Sequence, residues 1–108
     1  MRQWNVDPKF LCRQHLLGEH LEIHMFVGAL SKGKKLKGYI TNGMLEPHTL
    51  RTRHEHLVME MRKRGYTHNS PLPLFEDPLI AGRIDVQANM VELAKRCDKC
   101  RERQQDFL

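Results

Sequence analysis

Apolar residues recur at the spacing of an α-helix in three separate segments of the chain. In the first segment, residues 10–30, the positions that share one helical face are Leu16, Ile23, Val27 and Leu30, with Leu17 and Leu21 widening it. A strand would instead alternate apolar and polar residues. This periodicity therefore predicts helices that bury one stripe of side chains against a common core.

The second predicted helix runs from about Pro47 to Arg64, and Gly65 follows it as a suitable C-cap. Its buried stripe comprises Leu50, His54, Leu57, Val58 and Met61. The third runs from about Ile84 to Gln104, with Val86, Met90, Leu93, Cys97 and Cys100 on one face. A lysine-rich loop (KGKKLKG, residues 32–38) and an extended connector with three prolines (SPLPLFEDP, residues 70–78) separate the helices. The sequence predicts an all-α fold: a single compact three-helix domain spanning residues 1–108.

The charge balance favours a polyanionic partner. The chain carries a formal net charge of +5 at pH 7, and a basic domain gains affinity for nucleic acid by releasing counterions. No apolar run approaches the roughly 18 residues of a membrane span, and no secretory signal is evident. The odd number of cysteines, three, fits a reducing compartment. We therefore expect a cytoplasmic protein.

The N-terminus is a candidate nucleophile. The bulky Arg2 should prevent removal of Met1, so we expect the α-amine of Met1 to be retained. A protein α-amine has a pKa of about 7.7–8.0, so roughly 10–20% of it is neutral at pH 7, far more than of a lysine. Such an amine can form a Schiff base without special burial. Every chain has an N-terminus, however, so this observation gains weight only beside a suitable acid or base.

Glu22 is the candidate acid–base residue. It lies seven residues after His15 and four after Gly18, so a helix stacks the three on one face. Gly18 would leave a gap through which a ligand could approach the carboxylate. The alternative is a solvated glutamate on an amphipathic helix.

Two groups of residues raise the question of a metal. His20 and His24 are spaced i,i+4, and His54 and His56 could complete a site. Cys97 and Cys100 form a C-x-x-C pair, but a metal or redox motif would place this pair at a turn or a helix start. Because the pair falls inside the third predicted helix, we interpret both as core thiols, and we expect no metal site and no cofactor.

The chain contains, in order, the opening MRQWNVDPKFL and the segments QHLLGEHLEIHMFVGAL, residues 14–30, and LRTRHEHLVMEMRKRGY, residues 50–66. The two segments, in this order, resemble those of the pyrimidine dimer DNA glycosylase (phage endonuclease V) family, and the opening is similar to that of its bacterial members. The resemblance implies an all-α, metal-independent DNA glycosylase with AP lyase activity. Its N-terminal amine attacks C1′ of the damaged nucleotide, and β-elimination then cuts the strand.

Carried over by position, the resemblance implies Met1 as nucleophile and Glu22 as acid–base residue. It implies Arg2, Gln14, His15 and Lys32 as DNA contacts, to which we add Lys34 and Lys35 of the same loop. The implied partner is damaged double-stranded DNA, bound by a monomer that associates with the nucleoid.

This sequence departs from the family where two helix arginines are replaced by Leu21 and Met25. The lesion therefore stays open. Two other functions remain as alternatives: a non-catalytic helical nucleic-acid-binding module, and a small metal-dependent enzyme built on His20 and His24.

Overall fold

Five α-helices form the regular structure of residues 1–76 and 80–108, the part of the chain that the computed structural model describes. Their bounds are α1 Arg13–Ser31, α2 Lys37–Thr41, α3 Leu50–Lys63, α4 Val86–Arg96 and α5 Asp98–Asp106. Short 3-10 turns, Pro8–Phe10 and Pro47–Thr49, precede α1 and α3. These described residues include no strand, so the predicted all-α class is confirmed. None of the helices found in them is long and apolar enough to cross a membrane.

The number of helices differs from the predicted three. The third predicted helix is interrupted at Cys97, whose backbone is extended (φ −136°, ψ 110°) and ends α4. The short α2 begins within the predicted lysine-rich loop, at Lys37, and continues beyond it to Thr41. The predicted connector has no regular secondary structure over residues 70–76; its last two residues, 77 and 78, lie outside the described part.

The predicted stripes of α1 and α3 are largely buried, and Phe26, which was not among the predicted positions, is buried with them. The buried apolar side chains of α1 and α3 are Leu16, Ile23, Phe26, Val27, Leu50, Leu57, Val58 and Met61. One position on the first stripe was predicted wrongly, because Leu21 is 61% exposed. Trp4, Val6 and Leu11 of the N-terminal segment complete the same core, which explains why this irregular segment is held in place.

A buried ion pair joins α1 to α3. The Arg53 guanidinium donates from Nε to Oε2 of Glu19 at 2.6 Å and from Nη2 to Oε1 at 2.8 Å. Its Nη1 donates to the carbonyl of Val6 at 2.6 Å. Both charged side chains are almost completely buried, at 5% and 1% exposure. This bidentate contact satisfies the charge of Arg53 in the interior.

We expect Arg53→Ala to lower the free energy of unfolding by about 3–5 kcal/mol, since it leaves the Glu19 carboxylate buried without its partner. Urea unfolding followed by circular dichroism measures the change. The matched control is Arg62→Ala, at an exposed position of the same helix, where we expect about 0.5 kcal/mol or less. Equal losses in the two variants would contradict a structural role for the pair.

Candidate active site

The first residues of the chain are held against the loop that precedes α3. Gln3 is fully buried, and its backbone N–H donates to the carbonyl of Met44 at 2.8 Å. Its side chain accepts from the Glu46 N–H at 2.8 Å and donates to Thr49 Oγ1 at 2.7 Å. These bonds fix the backbone two residues from the terminus, so the position of the α-amine is defined.

The α-amine of Met1 lies beside the carboxylate of Glu22. The amine nitrogen is 3.9 Å from Oε1, and the backbone N–H of Arg2 donates to Oε2 at 3.2 Å. The Glu22 side chain is 32% exposed and so remains open to a ligand. An amine and a carboxylate at this separation can act on the same reacting carbon, one as nucleophile and the other as proton carrier.

These groups line a cleft of about 520 Å³. Its lining residues are Met1, Arg2, Trp4, Gln14, His15, Gly18, Glu19, Glu22, Tyr39, Met44 and Arg96. No atom would lie within 4 Å of a Cβ added to Gly18, in agreement with the predicted gap one turn before Glu22. Another depression, of about 600 Å³, lies along α3 beside Met59 and Lys63 and contains none of the residues predicted for catalysis or DNA binding.

Two arginines give the cleft a cationic side. The Arg2 guanidinium lies 3.9 Å from the centre of the Trp4 ring and donates to Asn89 Oδ1 at 2.6 Å. Arg96 lies 5.3 Å from the same ring. Burial, followed by repulsion from Arg96, lowers the pKa of Arg2. An anion in the cleft would relieve this repulsion, so the arrangement suits a phosphate.

Sequence reasoning missed Arg96 and Asn89, both on α4. Asn89 is buried and donates from Nδ2 to the carbonyl of Trp4 at 2.7 Å. The only signal for it was a polar residue beside Met90 within an amphipathic helix, which is too common to be informative.

The cleft brings together five of the predicted site residues: Met1, Arg2, Gln14, His15 and Glu22. The predicted loop lysines Lys32, Lys34 and Lys35 are exposed beyond the end of α1 and do not line it.

The three cysteines cluster around His15. Cys12 is the N-cap of α1 and Cys97 the N-cap of α5, so the C-x-x-C pair lies at a helix start. The prediction that the pair lies within a helix is therefore wrong. The reason for interpreting the pair only as core thiols no longer holds. Four metal-ligating atoms lie within 4.8 Å of one another, one each from Cys12, His15, Cys97 and Cys100.

A second cluster consists of imidazoles. His20, His54 and His68 also place their ring nitrogens within 4.8 Å, with His20 Nε2 3.0 Å from His68 Nε2. The ring centre of His24 lies 4.9 Å from that of His20. The fourth histidine of this cluster is thus His68. The predicted fourth member, His56, is exposed on α3.

Burial is the main cause that lowers the pKa of His20 from 6.5 to about 4, and the imidazoles of His54, His24 and His68 add to it. The neutral ring is thus favoured in the folded state. Below pH 6.5 the unfolded chain takes up a proton that the folded chain does not, so stability should fall from pH 6.5 towards about pH 4.

We expect His20→Asn to make this loss of stability with falling pH shallower than in the unchanged protein. Free energies of unfolding in urea at a series of pH values between 4 and 7 measure the slope. His56→Asn, which alters an exposed histidine, is the control and should leave the slope unchanged. If His20→Asn leaves the slope unaltered, the loss of stability at low pH does not come from the lowered pKa of His20.

Comparison with known proteins identifies the family of this chain. The model of the family described as pyrimidine dimer DNA glycosylase matches residues 1–74, a range that holds Met1 and Glu22 but neither α4 nor α5. No protein of curated function matches significantly, nor does any solved structure. Because the match covers more than half of the 108 residues, the chain belongs to the pyrimidine dimer DNA glycosylase family of DNA-repair enzymes.

Proposed function

We propose that this protein is a DNA glycosylase with AP lyase activity, with the α-amine of Met1 as nucleophile and Glu22 as acid–base residue. The observation that carries the proposal is the 3.9 Å separation between the Met1 amine and Glu22 Oε1, two groups that line the same cleft. The proposed enzyme is a single-domain monomer that acts on damaged double-stranded DNA in the cytoplasm, associated with the nucleoid when bound.

The proposed reaction begins when the amine lone pair forms a bond to C1′ and the bond from C1′ to the base breaks. The base leaves with the electron pair and takes up a proton. Ring opening, with a proton delivered to the ring oxygen, gives an imine between Met1 and the sugar. Removal of a C2′ proton then expels the 3′ phosphate by β-elimination. Glu22 lies close enough to the amine to carry these protons.

In this proposal the cationic side chains of the cleft bind phosphate. Arg2 and Arg96 lie on the same ring of Trp4 and would hold a phosphate beside the reacting sugar, with Gln14 and His15 as further contacts. Lys32, Lys34 and Lys35 would reach flanking phosphates. The damaged nucleotide must be distorted or extruded to bring C1′ into the cleft.

Two exposed apolar side chains of α1 bear on the lesion that the proposed enzyme recognises. Leu21 and Met25, which replace two arginines of the family, are 61% and 49% exposed on α1. This helix surface therefore offers apolar contact where phosphate contacts were expected. The main alternative, a non-catalytic nucleic-acid-binding module, would bind DNA through the same cations without forming a covalent bond.

Borohydride trapping tests the nucleophile. With abasic DNA we expect the protein to give a covalent adduct. Blocking the Met1 amine by acetylation or by an N-terminal tag should abolish this adduct. Acetylation removes the nucleophilic lone pair, and a tag moves the amine away from Glu22. A C-terminal tag is the control and should leave trapping intact. An N-terminally blocked protein that still forms the adduct would exclude Met1, and an unblocked protein that binds without trapping would favour the binding module.

The carboxylate is tested separately. We expect Glu22→Gln to lower base excision by about 10²–10⁴-fold, the usual contribution of an acid–base group, while some imine with abasic DNA persists because the amine remains. Single-turnover excision rates measure the effect. Glu55→Gln, at an exposed position of α3, serves as the control. Unchanged excision by Glu22→Gln would refute the role of this carboxylate.

The open space at Gly18 gives a test of the cleft itself. Gly18→Leu should keep or slightly raise stability, because glycine costs a helix roughly 0.5–1 kcal/mol relative to alanine. The new side chain projects towards the cleft, so strand nicking should fall by about tenfold to a hundredfold. Gly28→Leu is a matched control, since Gly28 lies in α1 with equally open space but outside the lining of this cleft. Equal nicking by the two stable variants would count against this cleft as the active site.

A further inference from the structure

Four potential metal ligands converge where the start of α1 meets the junction of α4 and α5. The Sγ of Cys12 lies 3.3 Å from His15 Nδ1 and 3.8 Å from the Sγ of Cys97. The Sγ of Cys100 lies 3.5 Å from the same nitrogen of His15. All three cysteines of the chain are free thiols, and all three belong to this group.

We propose that Cys12, His15, Cys97 and Cys100 form a structural zinc site. The spacing supports it: C-x-x-H on one helix start and C-x-x-C on another are ligand pairs typical of closed zinc sites with three thiolates and one imidazole. Soft sulfur ligands select zinc over magnesium or calcium, which prefer oxygen.

Three of the six distances between the ligand atoms match a tetrahedral ion, and all six are within 4.8 Å. Zinc bonds of about 2.3 Å to sulfur and 2.0–2.1 Å to nitrogen place sulfur atoms about 3.8 Å apart and sulfur and nitrogen about 3.5 Å apart. The 3.8 Å between the Cys12 and Cys97 sulfurs and the 3.3–3.5 Å from His15 Nδ1 to the Cys12 and Cys100 sulfurs fall close to these values. A single ion at the centre would therefore need little rearrangement.

The backbone around the cluster supplies hydrogen-bond donors to the sulfurs. Each sulfur accepts one backbone N–H: Cys12 from His15 at 3.4 Å, Cys97 from Cys100 at 3.4 Å and Cys100 from Cys12 at 3.3 Å. Cys12 and Cys97 also cap helix N-termini, where the backbone dipoles stabilise negative charge. These donors offset part of the charge of three thiolates around one Zn²⁺.

The function of the ion follows from its ligands. Four protein ligands leave no open position for water or substrate, so the site stabilises structure and takes no part in the chemistry. It would join α1 to α4 and α5, and α4 carries Arg96, which lines the cleft, and Asn89, which accepts a hydrogen bond from Arg2. Coordination through Nδ1 would also keep the proton of His15 on Nε2, which leaves that nitrogen as a hydrogen-bond donor.

The metal content of the full-length protein tests the proposal. After expression with added zinc, mass spectrometry of the purified protein should find one zinc per chain. Cys97→Ser should lower zinc to background, whereas His68→Asn, which disrupts the competing imidazole cluster, should leave it unchanged. Zinc that is lost in His68→Asn and kept in Cys97→Ser would overturn the assignment.

Cobalt gives a readout that does not depend on any variant being able to fold. Replacing zinc by Co²⁺ in the unchanged protein should produce thiolate-to-cobalt charge-transfer absorption together with the strong visible bands of a tetrahedral ion. Three results would each overturn the proposal. They are cobalt that binds without charge transfer, a protein that holds no metal after refolding with Zn²⁺ or Co²⁺, and a disulfide found by thiol titration of the denatured protein. Borohydride trapping is scored separately, so a catalytic failure with full zinc content counts only against the proposed reaction.

Discussion

The bidentate contact of Arg53 with Glu19 is the interaction on which the geometry of the cleft depends. It joins α3 to α1 and, through the carbonyl of Val6, ties both helices to the N-terminal segment. Glu19 lies one helical turn before Glu22, so the helix that anchors the ion pair also orients the carboxylate beside Met1. A buried charge requires a partner, and this requirement restricts how α1, α3 and the N-terminal segment can pack.

The N-terminal segment is an integral part of the core. Trp4 and Val6 are buried among the helices, and Gln3 is saturated with hydrogen bonds to the loop before α3. A terminus is usually free to move, but here the first residues have few alternative positions. This restriction is what the proposed reaction needs, because a nucleophile contributes most when it is held in place before substrate arrives.

The C-terminal helices complete a site that begins in the family-matched part of the chain. Residues 1–74 match the family, yet Arg96 and Asn89 lie on α4 and reach Trp4 and Arg2. The proposed zinc site would add a second link between the family-matched residues and the C-terminal helices. This link lies at the end of α4 that is farther along the chain from the connector. The cationic side of the cleft thus depends on packing between segments distant in the chain.

The apolar periodicity alone was enough to predict the all-α class and the approximate extents of α1 and α3. It also predicted the burial of residues such as Leu16, Ile23 and Leu57, because helix faces are local properties of the sequence. It could not predict the break at Cys97, where an extended backbone replaces a continuous helical pattern, nor the exposure of Leu21, which lies at the edge of its stripe. The order of motifs suggested Met1 and Glu22 as partners. Only the tertiary structure brought the amine within 3.9 Å of the carboxylate, buried Arg53 and gathered three cysteines around His15, because each of these contacts joins residues far apart in sequence and depends on how the helices pack.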